Sequence, residues 1–214
     1  MQKNDLAIFI MLEDAERQWH DESVEDFGRG KMNIFFDTEF TGLHKNTTLI
    51  SIGLISADGR TFYAELTDYD ENQCDEWLKE NVINNLLFKN ERFVRRDRHG
   101  EQEVRGTKQQ VGKYLKRWLS QFDDVQFVSD VCHYDMVLLI DIFGTAFDLP
   151  ENVSASCHDI NQDIAKHCGI SEKDAFNECR EDIVSGNGIS IDGKKHNALY
   201  DAKIIKAMYE ITHR

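Results

Sequence analysis

Long apolar runs are missing from this sequence. Nothing approaches the ~20 residues that span a bilayer, so no membrane helix and no membrane partner are expected. The longest early run, "LAIFIML" at Leu6 to Leu12, is short, has Lys3 alone as its basic flank and lacks a small-residue cleavage site, which makes a poor secretory leader. No C-x-x-C pair occurs, and the cysteines number five, an odd count. A disulfide framework is therefore disfavoured, and reduced thiols in a cytoplasmic setting are expected. Cys157-His158, His167-Cys168 and Cys179 match no standard zinc-finger spacing. There are no internal repeats or low-complexity tracts. Basic charge is also scarce: 25 Lys and Arg face 39 Asp and Glu, for a net charge of −14. Such a chain is not an obvious partner for a polyanion.

What is present is enough for one substantial domain: 214 residues, 41% of them hydrophobic. The charge is uneven. Lys89 to Arg117 holds ten basic residues and four acids, so this stretch is +6 while the rest carries −20. Arg92, Arg95, Arg96 and Arg98 are the densest part. They read as a basic loop near Gly100 and Gly106 that could guide a phosphate backbone, or as a solvated face.

Residues 1–31 are rich in acids and end in "GRGK"; they read as an appended arm, a short helix and a link. The main domain is expected over 32–214. "NIFFD", "TTLISIGLISA" and "TFYAEL" read as a strand meander with a turn at Asp58-Gly59. "VQFVSD" and "SASCHD" read as two more strands. Helical spacing appears in "DEWLKENVINNLL", "KQQVGKYLKRWLSQF", "YDMVLLIDIFG", "INQDIAKHCG" and "ALYDAKIIKAMYEITHR". The pattern predicts an α/β protein with a mixed five-stranded sheet flanked by helices.

"NIFFDTEFTGL" places Asp37 and Glu39 two residues apart in a strand, on one face, with Thr38 pointing away. Like charges this close repel, and burying them unpaired is costly. They read as solvated acids at a strand end or as hard oxygen ligands of a divalent cation. A cation needs further acids. Asp135 opens an apolar helix just after a strand, with Asp130 and Asp141 as alternatives nearby. Asp201 lies on the last helix. His196 stands five residues before it, off its helical face, and can reach Asp201 from the helix entrance.

The set "DTEFTGL", Tyr134-Asp135 at a helix start and "HNALYDA" resembles the DEDDh 3′→5′ exonucleases, including the RNase T-like and oligoribonuclease-like members. Ser129 to Asp135 departs from the usual second motif, and Phe40 replaces a more frequent Thr. Both features, with "DEWLKENVINNLL", resemble a compact bacterial RNase T-like exoribonuclease branch. The resemblance implies an RNase H-like fold and two divalent cations, Mg²⁺ or Mn²⁺. It implies that Asp37 bridges both ions, Glu39 and Asp201 complete the shell of the first ion, Asp135 serves the second ion and His196 accepts a proton. It also implies hydrolysis of single-stranded RNA or DNA from the 3′ end to nucleoside 5′-monophosphates, with RNA favoured, and a homodimer. Thr38, Phe40, Thr41, Gly42 and Leu43 are the implied substrate contacts, with Phe40 and Leu43 against bases.

Two other readings stay open on the residues. "IFFDTEFT" approaches the Asp-x-Asp-x-Thr signature of haloacid-dehalogenase-type phosphatases, with Asp37 as nucleophile, although Glu39 stands where that signature has Asp. A non-catalytic nucleic-acid-binding protein on the same fold is the other.

Overall fold

Near-continuous apolar stretches in a strand require cover on both faces, and the first strand has it. In β1 (Lys31–Phe40), Ile34 and Phe36 enter one core cluster and Phe35 the other. The computed structural model describes residues 31–214. The acidic segment 1–31, apart from Lys31, lies outside the described residues.

β2 (Leu49–Ser56) pairs antiparallel with β1, and β3 (Thr61–Leu66) antiparallel with β2. Asp37 faces Gly53 across the first pair and Glu39 faces Ser51. The register shifts between Glu39 and Phe40, a bulge that ends regular pairing directly after the second acid.

The expected helix from Asp75 is shorter than its apolar spacing implies. α1 covers Glu76–Asn81, capped by Asp75, and a 3₁₀ turn follows at Ile83–Asn85. Asparagine side chains compete with the helix here: Asn81 Nδ2 donates to the Trp77 carbonyl at 2.9 Å, and Asn85 Nδ2 donates to the Asn81 carbonyl.

The expected basic loop is instead a hairpin, β4 (Val94–Arg98) and β5 (Glu101–Gly106). Its two-residue turn has positive φ at both His99 (47°) and Gly100 (92°). β5 adds parallel to β3, leaving β4 on the sheet edge. Arginines on an edge strand discourage pairing with other chains.

After the hairpin come α2 (Lys108–Leu119), β6 (Asp124–Ser129), α3 (His133–Phe143) and β7 (Val153–Asp159). Then come α4 (Ile160–Cys168), α5 (Glu172–Asn177), α6 (Arg180–Gly186) and α7 (Ala198–Thr212). A Thr107–Gln110 capping box starts α2.

The sheet therefore has seven strands, not five, in the order β4-β5-β3-β2-β1-β6-β7. The five expected strands are its contiguous part β3-β2-β1-β6-β7, and the charged hairpin extends one edge. Val111, Leu115, Trp118 and Leu139 from α2 and α3 join one core cluster. Ile164, Ala202, Ile205 and Met208 from α4 and α7 join the other. The sheet is thus sandwiched between helices, with β1 near its middle. Among the described residues, no helix is long and apolar enough to cross a membrane.

Candidate active site

A cleft of about 830 Å³ opens beside the end of β1, lined by Asp37, Glu39, His196 and Asp201. Each acid comes from a rigid element. Asp37 and Glu39 come from β1, Asp135 from the first turn of α3, and Asp201 from the first turn of α7.

The start of α7 fixes the histidine. Asn197 caps the helix by accepting from the Tyr200 N–H at 3.2 Å. His196 lies just before it at φ +62°, and its N–H donates to Asp201 Oδ2 at 2.8 Å. Its Nδ1 is 3.8 Å from Glu39 Oε1. Single ligand atoms of Glu39, His196 and Asp201 all lie within 4.8 Å of one another. A non-glycine residue in the left-handed region is strained. Val131, leading into α3, is a second such case at φ +54° and also lines the cleft. Two of the three non-glycine residues with positive φ among the described residues thus flank the acids.

Asp135 is buried and anchored by Thr38. The Thr38 N–H (3.0 Å) and hydroxyl (2.5 Å) both donate to its Oδ1, and the Ser129 hydroxyl donates to Oδ2 at 3.4 Å. Thr38, expected to touch substrate, lines the cleft and sets its hydroxyl on this carboxylate. Of the alternatives, Asp141 is exposed and paired with Lys108 at 2.9 Å, and it does not line the cleft. Asp130 does line it, but is held by Arg180 at 2.8 Å.

Burial and mutual repulsion strain the acids. Asp37 is raised well above the usual carboxylate range, first by burial and then by Asp135, Glu39 and Asp201. Glu39 is pushed up to about 8 by burial and by Asp201 and Asp135. Asp201 is pushed up to about 7 mainly by burial, against the His196 N–H that lowers it. Asp135 is pushed up to about 6 by burial, opposed by its Thr38 donors. Burial and the neighbouring Lys195 lower His196, keeping the ring neutral. Four convergent carboxylates, with His196 as the only cationisable partner of Glu39 among the described residues, form a hard oxygen donor set.

The loop after β1 closes one side. Phe40 stacks on Tyr134 at 5.5 Å, and Leu43 is 78% exposed at the cleft. Thr41 is buried, and its hydroxyl donates to Gln73 Oε1 at 2.5 Å. Gly42, at the cleft, donates its N–H to the Thr47 hydroxyl at 3.1 Å. Arg92, Arg95, Arg96 and Arg98 do not line the cleft. Arg95, Arg96 and Arg98 sit on β4, four strands from β1, which is about 19 Å at ordinary strand spacing. Arg96 lies between Glu91 (3.9 Å) and Glu103 (3.6 Å).

Several residues at the site were not expected there. Trp77, whose spacing implied a core position, is 52% exposed and sets its ring at 76° to His196, centroids 5.0 Å apart. Arg180, Glu181 and Lys195 line the cleft from a stretch with no motif. Gly53, opposite Asp37, lies under the start of α7; a β-carbon there would sit 2.2 Å from the Leu199 nitrogen. An isolated glycine in the strand pattern "LISIGLIS" was its signal.

Comparison with known proteins agrees with this geometry. Residues 32–212 match the family described as the 3'-5' exoribonuclease Rv2179c-like domain. The 3'-5' exoribonuclease Rv2179c of Mycobacterium tuberculosis is 27% identical over 137 residues, covering 61% of this chain and 73% of that protein. Among solved structures, the nuclease domain of 3'hExo, a DEDDh family member bound to rAMP, superposes with a TM-score of 0.58 at 14% identity, covering 84% of this chain and 90% of that one. S. pombe Pop2p in its Mg²⁺ and Mn²⁺ bound form gives 0.55 at 17% identity, covering 85% and 83%. The fold is that of the RNase H-like DEDDh nucleases, and the phosphatase reading of Asp37 falls with it. The match over 32–212 places this chain in the Rv2179c-like 3′→5′ exoribonuclease domain family, in keeping with Asp37, Glu39, Asp201 and His196 at one cleft.

Proposed function

We propose that this chain shortens single-stranded RNA from its 3′ end, one nucleoside 5′-monophosphate at a time, by hydrolysis that needs two divalent cations, Mg²⁺ or Mn²⁺. One observation carries the reading: Asp37, Glu39 and Asp201 line one cleft with His196, and the buried Asp135, outside the lining, is close enough to push up Asp37 and Glu39. Carboxylates raised this far by burial and repulsion fit a bound cation, which removes the cost of their ionisation.

Asp37, Glu39 and Asp201 would hold the cations, with Asp135 joining from the α3 side. When bound, the cations supply charge neutralisation at the scissile phosphodiester and acidify water. The rest falls to the protein. His196 is neutral near pH 7 and accepts a proton from the attacking water. Its ring stands at the cleft with Nδ1 3.8 Å from Glu39 Oε1. Phe40, Gly42 and Leu43 border the cleft where the terminal nucleotide sits, and an exposed Leu43 offers an apolar face to any base.

The test uses 5′-labelled and 3′-labelled single strands of RNA and DNA, with Mg²⁺, Mn²⁺ or chelator. The expected result is a progressively shortening 5′-labelled RNA ladder, immediate release of a labelled mononucleotide from the 3′ label, slower loss of DNA and no reaction in chelator. Cleavage from the 5′ end, or hydrolysis that survives chelation, overturns the proposal.

A further inference from the structure

The cleft repels the substrate it is built to cut. Besides Asp37, Glu39 and Asp201, it is lined by Asp75, Asp130, Glu178 and Glu181. Apart from His196, its cations are Arg180 and Lys195.

Arg180 is committed to the protein. Its Nε donates to Asp130 Oδ2 (2.8 Å), and its Nη2 donates to Asp130 Oδ1 (3.0 Å) and Asn161 Oδ1 (2.5 Å). Its Nη1 donates to the Ala175 carbonyl at 2.8 Å and to that of Glu178. The side chain is 11% exposed. A guanidinium so fully satisfied has no donor direction left for a ligand.

Lys195 differs. Its side chain is 61% exposed, and its ammonium is paired with Glu181 Oε1 at 3.1 Å. It directly precedes His196, whose backbone is pinned to Asp201. The ammonium is therefore tethered beside the reacting centre by a flexible stem. The lysine end of the pair is exposed and the Glu181 end is half-buried, and an ion pair open to water on one side adds little to stability, so exchanging one acceptor for another costs little. A phosphodiester carries a permanent negative charge and offers free acceptor oxygens to such an ammonium. The arginines of β4 do not fill this need, since none lines the cleft.

We propose that Lys195 is a substrate-phosphate contact of this cleft, and that Glu181 holds its ammonium until a phosphate of the incoming strand replaces the carboxylate. This rests on the exonuclease reading above. The contact is with backbone, so it is blind to sequence and sensitive to salt. Glu181 sets how readily the strand is taken up.

The experiment measures kcat and KM for 5′-labelled single-stranded RNA at saturating Mg²⁺ over a range of NaCl, for wild type, Lys195→Ala, Lys195→Arg and Glu181→Gln. Lys195→Ala should raise KM severalfold with kcat nearly unchanged. Its plot of log(kcat/KM) against log[NaCl] should flatten by about 0.7, the value of one phosphate contact on a single strand. Lys195→Arg should stay close to wild type, and Glu181→Gln should lower KM. Wild-type KM and salt slope in Lys195→Ala overturn the inference. A raised KM in Glu181→Gln also overturns it, because the pair is then a scaffold rather than a hand-over. If the wild type itself fails to shorten RNA from the 3′ end, the exonuclease reading fails first, and these variants are not its cause.

Discussion

Thr38 and Asp135 are joined twice, the Thr38 N–H (3.0 Å) and hydroxyl (2.5 Å) both donating to one carboxylate oxygen. The two residues are 97 positions apart, on β1 and α3, and the acids of β1 flank Thr38 on either side. This contact sets where α3 delivers its carboxylate relative to Asp37. Thr38→Val keeps the shape and removes the hydroxyl. The expected loss is about 10–100-fold in activity or in Mn²⁺ activation, the usual effect of removing a group that orients a metal ligand. Titrating Mn²⁺ against rate checks this. An unchanged activation curve would remove Thr38 from the site.

The acids should also show in the metal-free protein. Glu39 (about 8), Asp201 (about 7), Asp135 (about 6) and Asp37 all titrate above their unfolded values. The folded state therefore holds more protons than the unfolded state, and stability falls as pH rises. Their contribution is fully present below the unfolded carboxylate range and is lost as pH climbs through about 6 to 8. In chelator, Tm should drop between pH 5 and pH 8.5, and Mg²⁺ or Mn²⁺ should restore it at the upper end. A flat Tm profile in chelator would contradict the burial of these groups.

Asp37→Asn separates charge from shape. At pH 8 it should raise the Tm of the metal-free protein, because it removes one member of a repelling set. It should also abolish the Mg²⁺-induced rise in Tm and nearly all hydrolysis. Retained turnover at saturating Mg²⁺ or Mn²⁺ would overturn the metal assignment.

The role of His196 predicts a different pattern. His196→Asn is preferable to Ala because Asn tolerates the left-handed backbone that this position adopts at φ +62°. RNA binding and the Mg²⁺-induced rise in Tm should persist, while kcat falls by about 10²–10⁴-fold, typical of general-base loss. If kcat is little changed while KM rises, His196 binds substrate instead.

The legible parts of this site were those where chemistry forces an unusual local pattern. Two acids ending an apolar strand, and a His before an acid at a helix start, break the rule that core edges avoid unpaired charge. Four of the five expected strands, β1, β2, β3 and β6, were legible because β-branched and aromatic residues line up with period two or in buried runs. The hairpin β4–β5 was not. "VRRDR" is an edge strand that buries Val94 alone, and "EQEVRG" buries the polar Gln102 and Arg105 beside Val104, so neither shows apolar alternation. α5 and α6 were missed for a related reason. Each is short and buries a single side chain, Ala175 in one and Val184 in the other. Arg180 and Lys195 therefore reach the cleft from a stretch that carried no periodic signal. Trp77 misled because helical spacing says which face a residue shares, not whether that face meets the core or a cleft.

Gly53 tests how the fold assembles the acids. It pairs with Asp37 in the β1–β2 register, and the backbone of Ala198 and Leu199 lies directly over it. A β-carbon at this position would stand 2.2 Å from the Leu199 nitrogen and 2.3 Å from the Ala198 carbonyl carbon. These are backbone atoms at the start of α7, so no side-chain rotation relieves the clash. The helix itself must lift. Asp201 lies one turn further along that helix, and His196 lies just before it, pinned to Asp201. Gly53→Ala should therefore move two site residues together while leaving every catalytic side chain in place. Overpacking of this kind typically costs about 1–3 kcal/mol of stability. The expected result is a folded protein with lower Tm, weaker Mg²⁺ stabilisation and activity well below what its folded fraction accounts for. Wild-type kcat and metal response in folded Gly53→Ala would show that α7 reaches the acids without this close approach.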